Sequence, residues 1–231
     1  QYKWGSIAIL IPIAICATGW LLSPSPDGST LRVGVLQLDD SNYSDYGYQR
    51  DLGPITSPHS PSDPLDVLVL PEYSYIFTNK EYKQAETTAL DKITTDKSLI
   101  ITSQSGEADQ GHKNLVTFYK ADGRIAAQQE KQFLIPAGEY IPYFYEWILV
   151  LSGNTSVIGA HQAKNTVTPS DQVAKPVAYR DDQIGALACS GAIAPDFYRK
   201  LSSDGATILT NSAALSTMGL SSGYYGQARQ M

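Results

Sequence analysis

The chain has 231 residues, with 17 basic and 23 acidic side chains and a formal net charge of −6. This length allows one sizeable α/β domain with a short additional segment. The acidic balance, with no basic stripe, argues against a nucleic-acid-binding protein. Two cysteines cannot form a disulfide framework, and the three histidines fit no zinc-binding pattern. We therefore expect neither a metal site nor another cofactor.

The first segment of the chain is apolar. Residues 5–22 carry no charge, and Trp4 and Trp20 bracket the run as interfacial anchors do. Eighteen residues is about the lower limit for a membrane-spanning helix, and a signal-peptide core or a buried helix are the alternatives. Lys3, the only charge upstream, places that end in the cytoplasm and the remainder of the chain outside.

The sequence predicts two domains. A transmembrane helix with its flanks over residues 1–24 is interpreted as the end of a membrane domain, and a second domain covers residues 25–231. The chain starts at Gln1 rather than at methionine and ends at Met231 within "GYYGQARQM", which is typical of a helix start. We therefore expect a fragment of a longer protein, with the second domain incomplete at its carboxyl end.

After the linker "SPSPDGST", strands alternate with helices and hairpins, as in layered α/β domains. In chain order we predict a buried strand within residues 31–38, a proline-rich loop over 39–64, a strand in "DVLVLPE", a helix over 79–97 and a strand over 98–106. Next come a hairpin over 114–131 with its turn at Asp122-Gly123, a second hairpin over 175–189 turning at Asp181-Asp182, a helix over 194–205 and a strand over 206–211.

Three polar residues follow apolar strands directly. They are Glu72, Lys131 and Cys189, and the carboxyl ends of strands are where layered α/β folds bind ligands. Each alone has a simple structural explanation, as a cap, a solvated strand end and a small core residue. Together they supply a thiol nucleophile, a carboxylate base and an ammonium that stabilises an oxyanion. The backbone N–H of Ser190 is a natural second donor to that oxyanion.

Three sequence motifs carry a resemblance to a known family. "DVLVLPEYS", "KQFLIPAGEYIPYF" and "GALACSGAIAPDFYRKLSSDGATILTNSA" resemble the glutamate, lysine and cysteine motifs of the nitrilase (carbon–nitrogen hydrolase) superfamily. The similarity runs from about Leu31 to Met231. The lysine motif, with "ADGRIAAQQEK" upstream, is most similar to the membrane branch of that superfamily, the apolipoprotein N-acyltransferases. The resemblance implies a four-layer α-β-β-α sandwich preceded by a transmembrane helix.

The resemblance also implies roles for individual residues. Glu72 is expected to be the general base, Lys131 the stabiliser of thiolate and oxyanion, and Cys189 the nucleophile. Glu139 matches a second glutamate that supports the triad, and a structural carboxylate bonding loop backbone is the alternative. In this reading Cys189 takes an acyl chain from a phospholipid as a thioester. The N-terminal amine of a lipoprotein then attacks it, on the periplasmic side of a bacterial inner membrane.

Two other functions stay open at this point. One is an amide or nitrile hydrolase, in which water replaces the amine acceptor, and the other is an inactive binding module that keeps the fold. The sequence departs from the membrane branch at Ser190-Gly191, where a bulky and acidic pair usually follows the cysteine. It also departs over residues 39–64 and after "ILTNSA". These departures bear on the acceptor more than on the three triad residues.

One further segment bears on a lipid substrate. "IPYFYEWILVL", residues 141–151, places Phe144, Trp147 and Leu151 near helical spacing. Such a segment is either an amphipathic arm that enters the membrane interface or an ordinary packed helix. The sequence alone does not separate these two possibilities.

Overall fold

The computed structural model describes residues 30–36, 63–107, 112–136, 138–164 and 167–213. The transmembrane helix predicted over residues 5–22 lies outside these ranges, as does most of the proline-rich segment 39–64. Among the described residues, none of the helices has both the length and the apolar character needed to cross a membrane. The division into domains at residues 24 and 25 therefore stays a prediction.

A five-stranded mixed sheet forms the larger half of the described fold, in the order β1-β2-β3-β4-β5. Its strands are β1 (Val33–Val35), β2 (Leu65–Val69), β3 (Thr94–Glu107), β4 (His112–Lys120) and β5 (Ile125–Glu130). The first three strands are parallel, whereas β4 is antiparallel to both of its neighbours. The carboxyl ends of β2 and β5 and the amino end of β4 therefore lie at the same edge of the sheet.

A second sheet has three strands in the order β6-β7-β8, with β6 antiparallel and β8 parallel to the central strand. The strands are β6 (Val177–Tyr179), β7 (Asp182–Ala188) and β8 (Ile208–Ser212). The hairpin predicted over residues 175–189 is present, but its turn lies one residue earlier than the predicted Asp181-Asp182. Asp182 already pairs with Tyr179, and the turn is formed by Arg180 and Asp181. Arg180 takes the left-handed φ of 53° that closes the turn.

Four helices complete the described elements: α1 (Lys83–Leu90), α2 (Tyr143–Leu151), α3 (Thr155–Lys164) and α4 (Pro195–Ser203). The helix predicted over residues 79–97 is shorter than expected, because Thr94–Lys97 belong to β3 instead. Two threonines in this stretch are β-branched and favour the extended backbone. Helix α4 begins at Pro195 and is followed by Gly205, as the sequence predicts.

The core lies in three apolar clusters that define the layers. Alternate residues of β2 face opposite sides: Val67 and Val69 pack in a cluster with Ile184 and Ala186 of β7, which joins the two sheets face to face. Leu68 of β2 packs on the other side in a cluster with Leu90 of α1. The remaining face of the second sheet is covered by α4, whose Leu201 packs with Leu187. The order α1, sheet, sheet, α4 is the four-layer arrangement that the family resemblance implies.

The burial of two elements bears on the sequence analysis: one differs from the expectation, and the other separates two alternatives that the sequence left open. The strand within residues 31–38 was expected to be buried, yet Val33 and Val35 of β1 are 42% and 76% exposed. Strand β1 ends the sheet order and pairs only with β2 among the described strands, so its side chains have fewer neighbours. Helix α2 has no buried residue at all, and Trp147 is 59% exposed. This observation disfavours the ordinary packed helix for residues 141–151.

Candidate active site

Glu72 lies three residues beyond β2, at the edge where the carboxyl ends of β2 and β5 meet. Its carboxylate is almost fully buried, with 2% of the residue exposed. The next residue, Tyr73, has a left-handed φ of 62° and donates its N–H to the Ser103 carbonyl at 2.7 Å. A non-glycine residue in this region stores backbone strain of about 1–3 kcal/mol, which is common beside functional groups.

The loop after Glu72 is held by buried polar contacts. Tyr75 and Phe77 repeat the left-handed backbone of Tyr73, with φ values of 49° and 60°. Glu86 of α1, itself 2% exposed, accepts the Phe77 N–H at 2.7 Å. Ser74 and Thr102 of β3 share a hydrogen bond of 2.7 Å between their hydroxyls. Helix α1 and strand β3 therefore fix the strained loop that carries Glu72.

Asn114, near the start of β4, reaches the same carboxylate. Its Nδ2 donates to Glu72 Oε1 at 2.6 Å, and the residue is 2% exposed. The main-chain carbonyl oxygen of Asn114 accepts the main-chain N–H of Lys131 at 2.7 Å. Asn114 is not among the site residues predicted from the sequence. Its position within a strand-forming segment, where asparagine is disfavoured, is the one sequence feature that could have indicated a special role.

Lys131 follows β5 directly and is buried, with 5% of the residue exposed. Its Nζ lies 2.7 Å from Oε1 of Glu139, and the other carboxylate oxygen of Glu139 accepts the Ile135 N–H at 2.9 Å. Both alternatives considered for Glu139 are therefore present: it contacts the lysine and also bonds loop backbone. A buried ammonium requires such a counter-charge, because desolvation otherwise penalises its charged form.

Cys189 follows β7 and starts a 3-10 turn, Cys189–Ile193, that precedes α4. The cysteine is half-buried and has a left-handed φ of 46°. Its carbonyl accepts a hydrogen bond from Asn211 Nδ2 at 3.2 Å. The Ser190 hydroxyl donates to the Phe133 carbonyl at 2.8 Å, so the cysteine turn is tied to the loop that follows Lys131. Since this hydroxyl proton is already used, the backbone N–H is the one donor of Ser190 that remains a candidate for binding an oxyanion beside Lys131.

The charges around Cys189 show that these groups share one site. Burial is the main factor that raises the pKa of its thiol to about 12, and the negative charge of Glu72 adds to this rise. A hydrogen bond to Glu72 and the charge of Glu139 act in the same direction, whereas the charge of Lys131 lowers the pKa. The thiol is therefore protonated at neutral pH. It needs a base in order to act as a nucleophile, and Glu72 is in hydrogen-bond contact with it.

Tyr73 is a further buried polar group of this site. Burial, followed by the charges of Glu72, Glu139 and Cys189, raises the pKa of its phenol well above the ordinary value. Its ring stacks on Tyr75 with centroids 6.0 Å apart. The phenol is therefore neutral and able to donate a hydrogen bond throughout the physiological range.

Comparisons with known proteins show what the chain is similar to in family and in fold. The family model described as "Carbon-nitrogen hydrolase" matches residues 32–230. A carbon–nitrogen hydrolase crystal structure from Helicobacter pylori G27 is 19% identical, with a TM-score of 0.51, over 87% of this chain and 65% of that one. A mutant amidase from Nesterenkonia sp. AN1, carrying the acetamide moiety of fluoroacetamide on its active-site cysteine, is 16% identical with a TM-score of 0.50. That match covers 87% of this chain and 70% of the amidase.

These structural similarities show a shared fold, because their sequence identities are low. The chain spans slightly less than two thirds of the Helicobacter pylori protein. A search of curated proteins gave no significant match. The family model, in contrast, covers most of the chain, including Glu72, Lys131, Glu139 and Cys189. The chain belongs to the carbon–nitrogen hydrolase family.

Proposed function

We propose that the chain is a cysteine-dependent acyl-transfer enzyme in which Cys189 carries the acyl group as a thioester. The proposal depends on one observation: the half-buried thiol of Cys189 is in hydrogen-bond contact with Glu72, and the charge of Lys131 acts on the same sulfur. In this assignment Glu72 is the general base and Lys131 stabilises the thiolate and the oxyanion. Glu139 orients Lys131 through their 2.7 Å contact.

The first half-reaction forms the thioester. Glu72 takes the thiol proton while the sulfur of Cys189 attacks the acyl carbonyl carbon, and a carbon–sulfur bond forms. The ammonium of Lys131 and the backbone N–H of Ser190 stabilise the negative oxygen. When the tetrahedral intermediate collapses, the carbon–oxygen bond to the donor breaks. The leaving alcohol receives the proton that Glu72 holds.

In the second half-reaction, an amine is the nucleophile and the thiol of Cys189 is the leaving group. An amine attacks the thioester carbon and gives a proton to Glu72, so that a carbon–nitrogen bond forms. The carbon–sulfur bond then breaks, and Glu72 returns the proton to Cys189. Such a ping-pong cycle needs one base that accepts and returns a proton twice, in an environment shielded from bulk water.

Exposed apolar residues support a lipid as the acyl donor. Helix α2 begins four residues after Glu139, and Tyr143, Phe144 and Leu151 are 90%, 64% and 67% exposed. A short helix with this many exposed aromatic and aliphatic side chains is typical of segments that enter a membrane interface. We propose a phospholipid donor, the N-terminal amine of a lipoprotein as acceptor, and a location at the bacterial inner membrane facing the periplasm.

Amide hydrolysis is the second candidate function. The family match favours it, because the same base, ammonium and thiol suffice when water replaces the amine. The solved amidase with a similar fold carries a covalent adduct on its own active-site cysteine. The departure at Ser190-Gly191 also leaves the acceptor open, since the acidic side chain usual in the membrane branch is missing here.

A covalent-adduct experiment tests these proposals. The full chain is incubated with phospholipid vesicles or with a small aliphatic amide, and peptide-resolved mass spectrometry locates any thioester. We expect a phospholipid-derived acyl chain on Cys189, its transfer to a diacylated lipopeptide, and no adduct in Cys189→Ala. An adduct from the amide alone, released by water, identifies a hydrolase. The lack of an adduct from either donor overturns the catalytic proposal and favours a binding module.

A further inference from the structure

Asn114 contacts Glu72 but is not one of the three triad residues. The amide nitrogen of Asn114 donates to Oε1 of Glu72 at 2.6 Å, a short distance for a hydrogen bond from nitrogen. Both residues are 2% exposed. An amide nitrogen can only donate a hydrogen bond, and an ionised carboxylate can only accept one. The amide of Asn114 must therefore direct its nitrogen, not its oxygen, at Glu72.

The topology explains why the contact forms. Asn114 pairs with Ser105 near the amino end of β4, at the edge where β2 and β5 end. Its main-chain carbonyl accepts the N–H of Lys131 at 2.7 Å. A single residue therefore holds the side chain of the candidate base and the backbone of the candidate oxyanion stabiliser.

The oxygen of the same amide, Oδ1 of Asn114, is buried and has no hydrogen-bond partner in the part of the chain that the structure describes. A buried polar atom without a partner costs stability. The amide oxygens of Gln104 and Asn211 are also buried without a partner among the described residues, so the contact with Glu72 is what distinguishes Asn114.

A donor to the carboxylate has two effects on a general base. It restricts rotation of the carboxyl group, which keeps one oxygen directed at the thiol. It also stabilises the charged form, because a hydrogen bond to an ionised carboxylate favours ionisation. The other titratable groups of the site are Tyr73, Lys131, Glu139 and Cys189. Asn114 adds no charge to them. Its Nδ2 donates to Glu72 at 2.6 Å and lies 3.5 Å from the Tyr73 hydroxyl, so its effect acts through hydrogen bonds.

We infer that Asn114 is a positioning residue that keeps Glu72 ionised and directed at Cys189. The inference rests on the proposed function, in which Glu72 is the general base. It does not depend on whether an amine or water takes the acyl group. It predicts that the protonation of Glu72, and with it the pH dependence of thioester formation, responds to a change at Asn114.

The test compares Asn114→Leu with the wild-type chain by two measurements. Infrared difference spectra during a pH titration report the protonated carboxyl band of Glu72, which is assigned by its loss in Glu72→Gln. The burst of p-nitrophenol from p-nitrophenyl butyrate reports thioester formation at Cys189. We expect the infrared midpoint and the acid limb of the burst to move together to higher pH. The shift should be about one pH unit, the tenfold change that one charge-assisted hydrogen bond supports.

Two further variants make the outcome decisive. Asn114→Asp keeps the size of the side chain and places a second carboxyl group beside Glu72, so we expect a larger upward shift. Gln104→Leu removes another buried amide, which donates to the Tyr119 hydroxyl at 2.8 Å, and should leave the midpoint unchanged. Unshifted profiles in a folded Asn114→Leu, or in Asn114→Asp if the leucine variant does not fold, overturn the inference. A wild-type burst in Cys189→Ala or Glu72→Gln instead overturns the proposed function.

Discussion

The Lys131 ammonium lies 2.7 Å from a carboxylate oxygen of Glu139, while Asn114 donates to the other glutamate of the site, Glu72. The two carboxylates therefore have different partners. Glu139 balances the charge of a lysine whose side chain is 2% exposed. Glu72 accepts the amide N–H of Asn114 and contacts the thiol of Cys189. This separation allows one carboxylate to move protons while the other holds a positive charge in place.

Replacing Glu139 by glutamine should weaken both stability and activity. The substitution leaves a buried ammonium without its counter-charge, a change that costs on the order of 3 kcal/mol in buried ion pairs. We expect a lower free energy of unfolding in urea and at least a tenfold slower burst of thioester formation. The matched control is Glu130→Gln, whose pair with Lys113 is more exposed and should cost less than about 1 kcal/mol. Equal losses in both variants would contradict the role given to Glu139.

The thiol of Cys189 should titrate far above neutral pH. Burial first, then the negative charge of Glu72, raises its pKa from 9.0 to about 12. Removing that charge in Glu72→Gln removes a raising factor, so the pKa should fall, and thiolate should form at lower pH than in the wild type. The ultraviolet absorbance of the thiolate measures both values, with Cys16→Ser as the background. A wild-type pKa below that of a free thiol would show that the Lys131 charge outweighs burial.

The exposed side chain of Trp147 should enter a lipid bilayer. With Trp4→Phe and Trp20→Phe, Trp147 is the only tryptophan left in the chain. We expect its fluorescence to shift to the blue with phospholipid vesicles and to be quenched by brominated lipids, because its ring leaves water.

The control moves the tryptophan to an apolar exposed position elsewhere. Ile125 at the start of β5 is 57% exposed, and Ile125→Trp combined with Trp147→Phe should show no quenching. Quenching at position 125 but not at position 147 would rule out α2 as the lipid-contacting segment. Quenching at neither position would leave no support for a lipid donor from this helix.

Gly191 should not tolerate a side chain without strain. A Cβ built at this position would lie 2.8 Å from Cβ of Leu187, which is closer than real Cβ contacts allow. We expect Gly191→Ala to lower the free energy of unfolding by about 1–3 kcal/mol, as overpacking does. Gly159 of α3 has nothing within 4 Å of such a Cβ, so Gly159→Ala should be neutral or stabilising. Denaturant unfolding of both variants checks this, and similar effects would contradict the packing argument.

The close approach at Gly191 also gives a physical reason for one departure from the membrane branch. A bulky and acidic pair after Cys189 would not fit this turn unless Leu187 moved. The small residues instead let the turn pack on β7, and the Ser190 hydroxyl bonds to the loop after Lys131. In the proposed reaction, the acceptor would meet a turn without the acidic side chain that usually follows the cysteine in the membrane branch.

The sequence by itself determined where Glu72, Lys131 and Cys189 lie relative to their strands. Strand-forming segments end one residue before Lys131 and Cys189 and three residues before Glu72, and that pattern is local in the chain. It also predicted strands that alternate with helices and hairpins, and the described elements confirm this mixed α/β pattern. It placed the turn of the second hairpin one residue late and extended α1 into β3, because short-range preferences define boundaries poorly.

Only the tertiary structure decided which partners these residues meet. Asn114 is 42 positions from Glu72 in the chain, and no local pattern links them. The exposure of α2 also depends on which elements pack around it, since its composition suits a core helix equally well. Hydrogen bonds and burial are set by contacts between distant segments, whereas strand and helix patterns are set by neighbouring residues. The sequence therefore predicts the candidate groups, and the fold decides their chemistry.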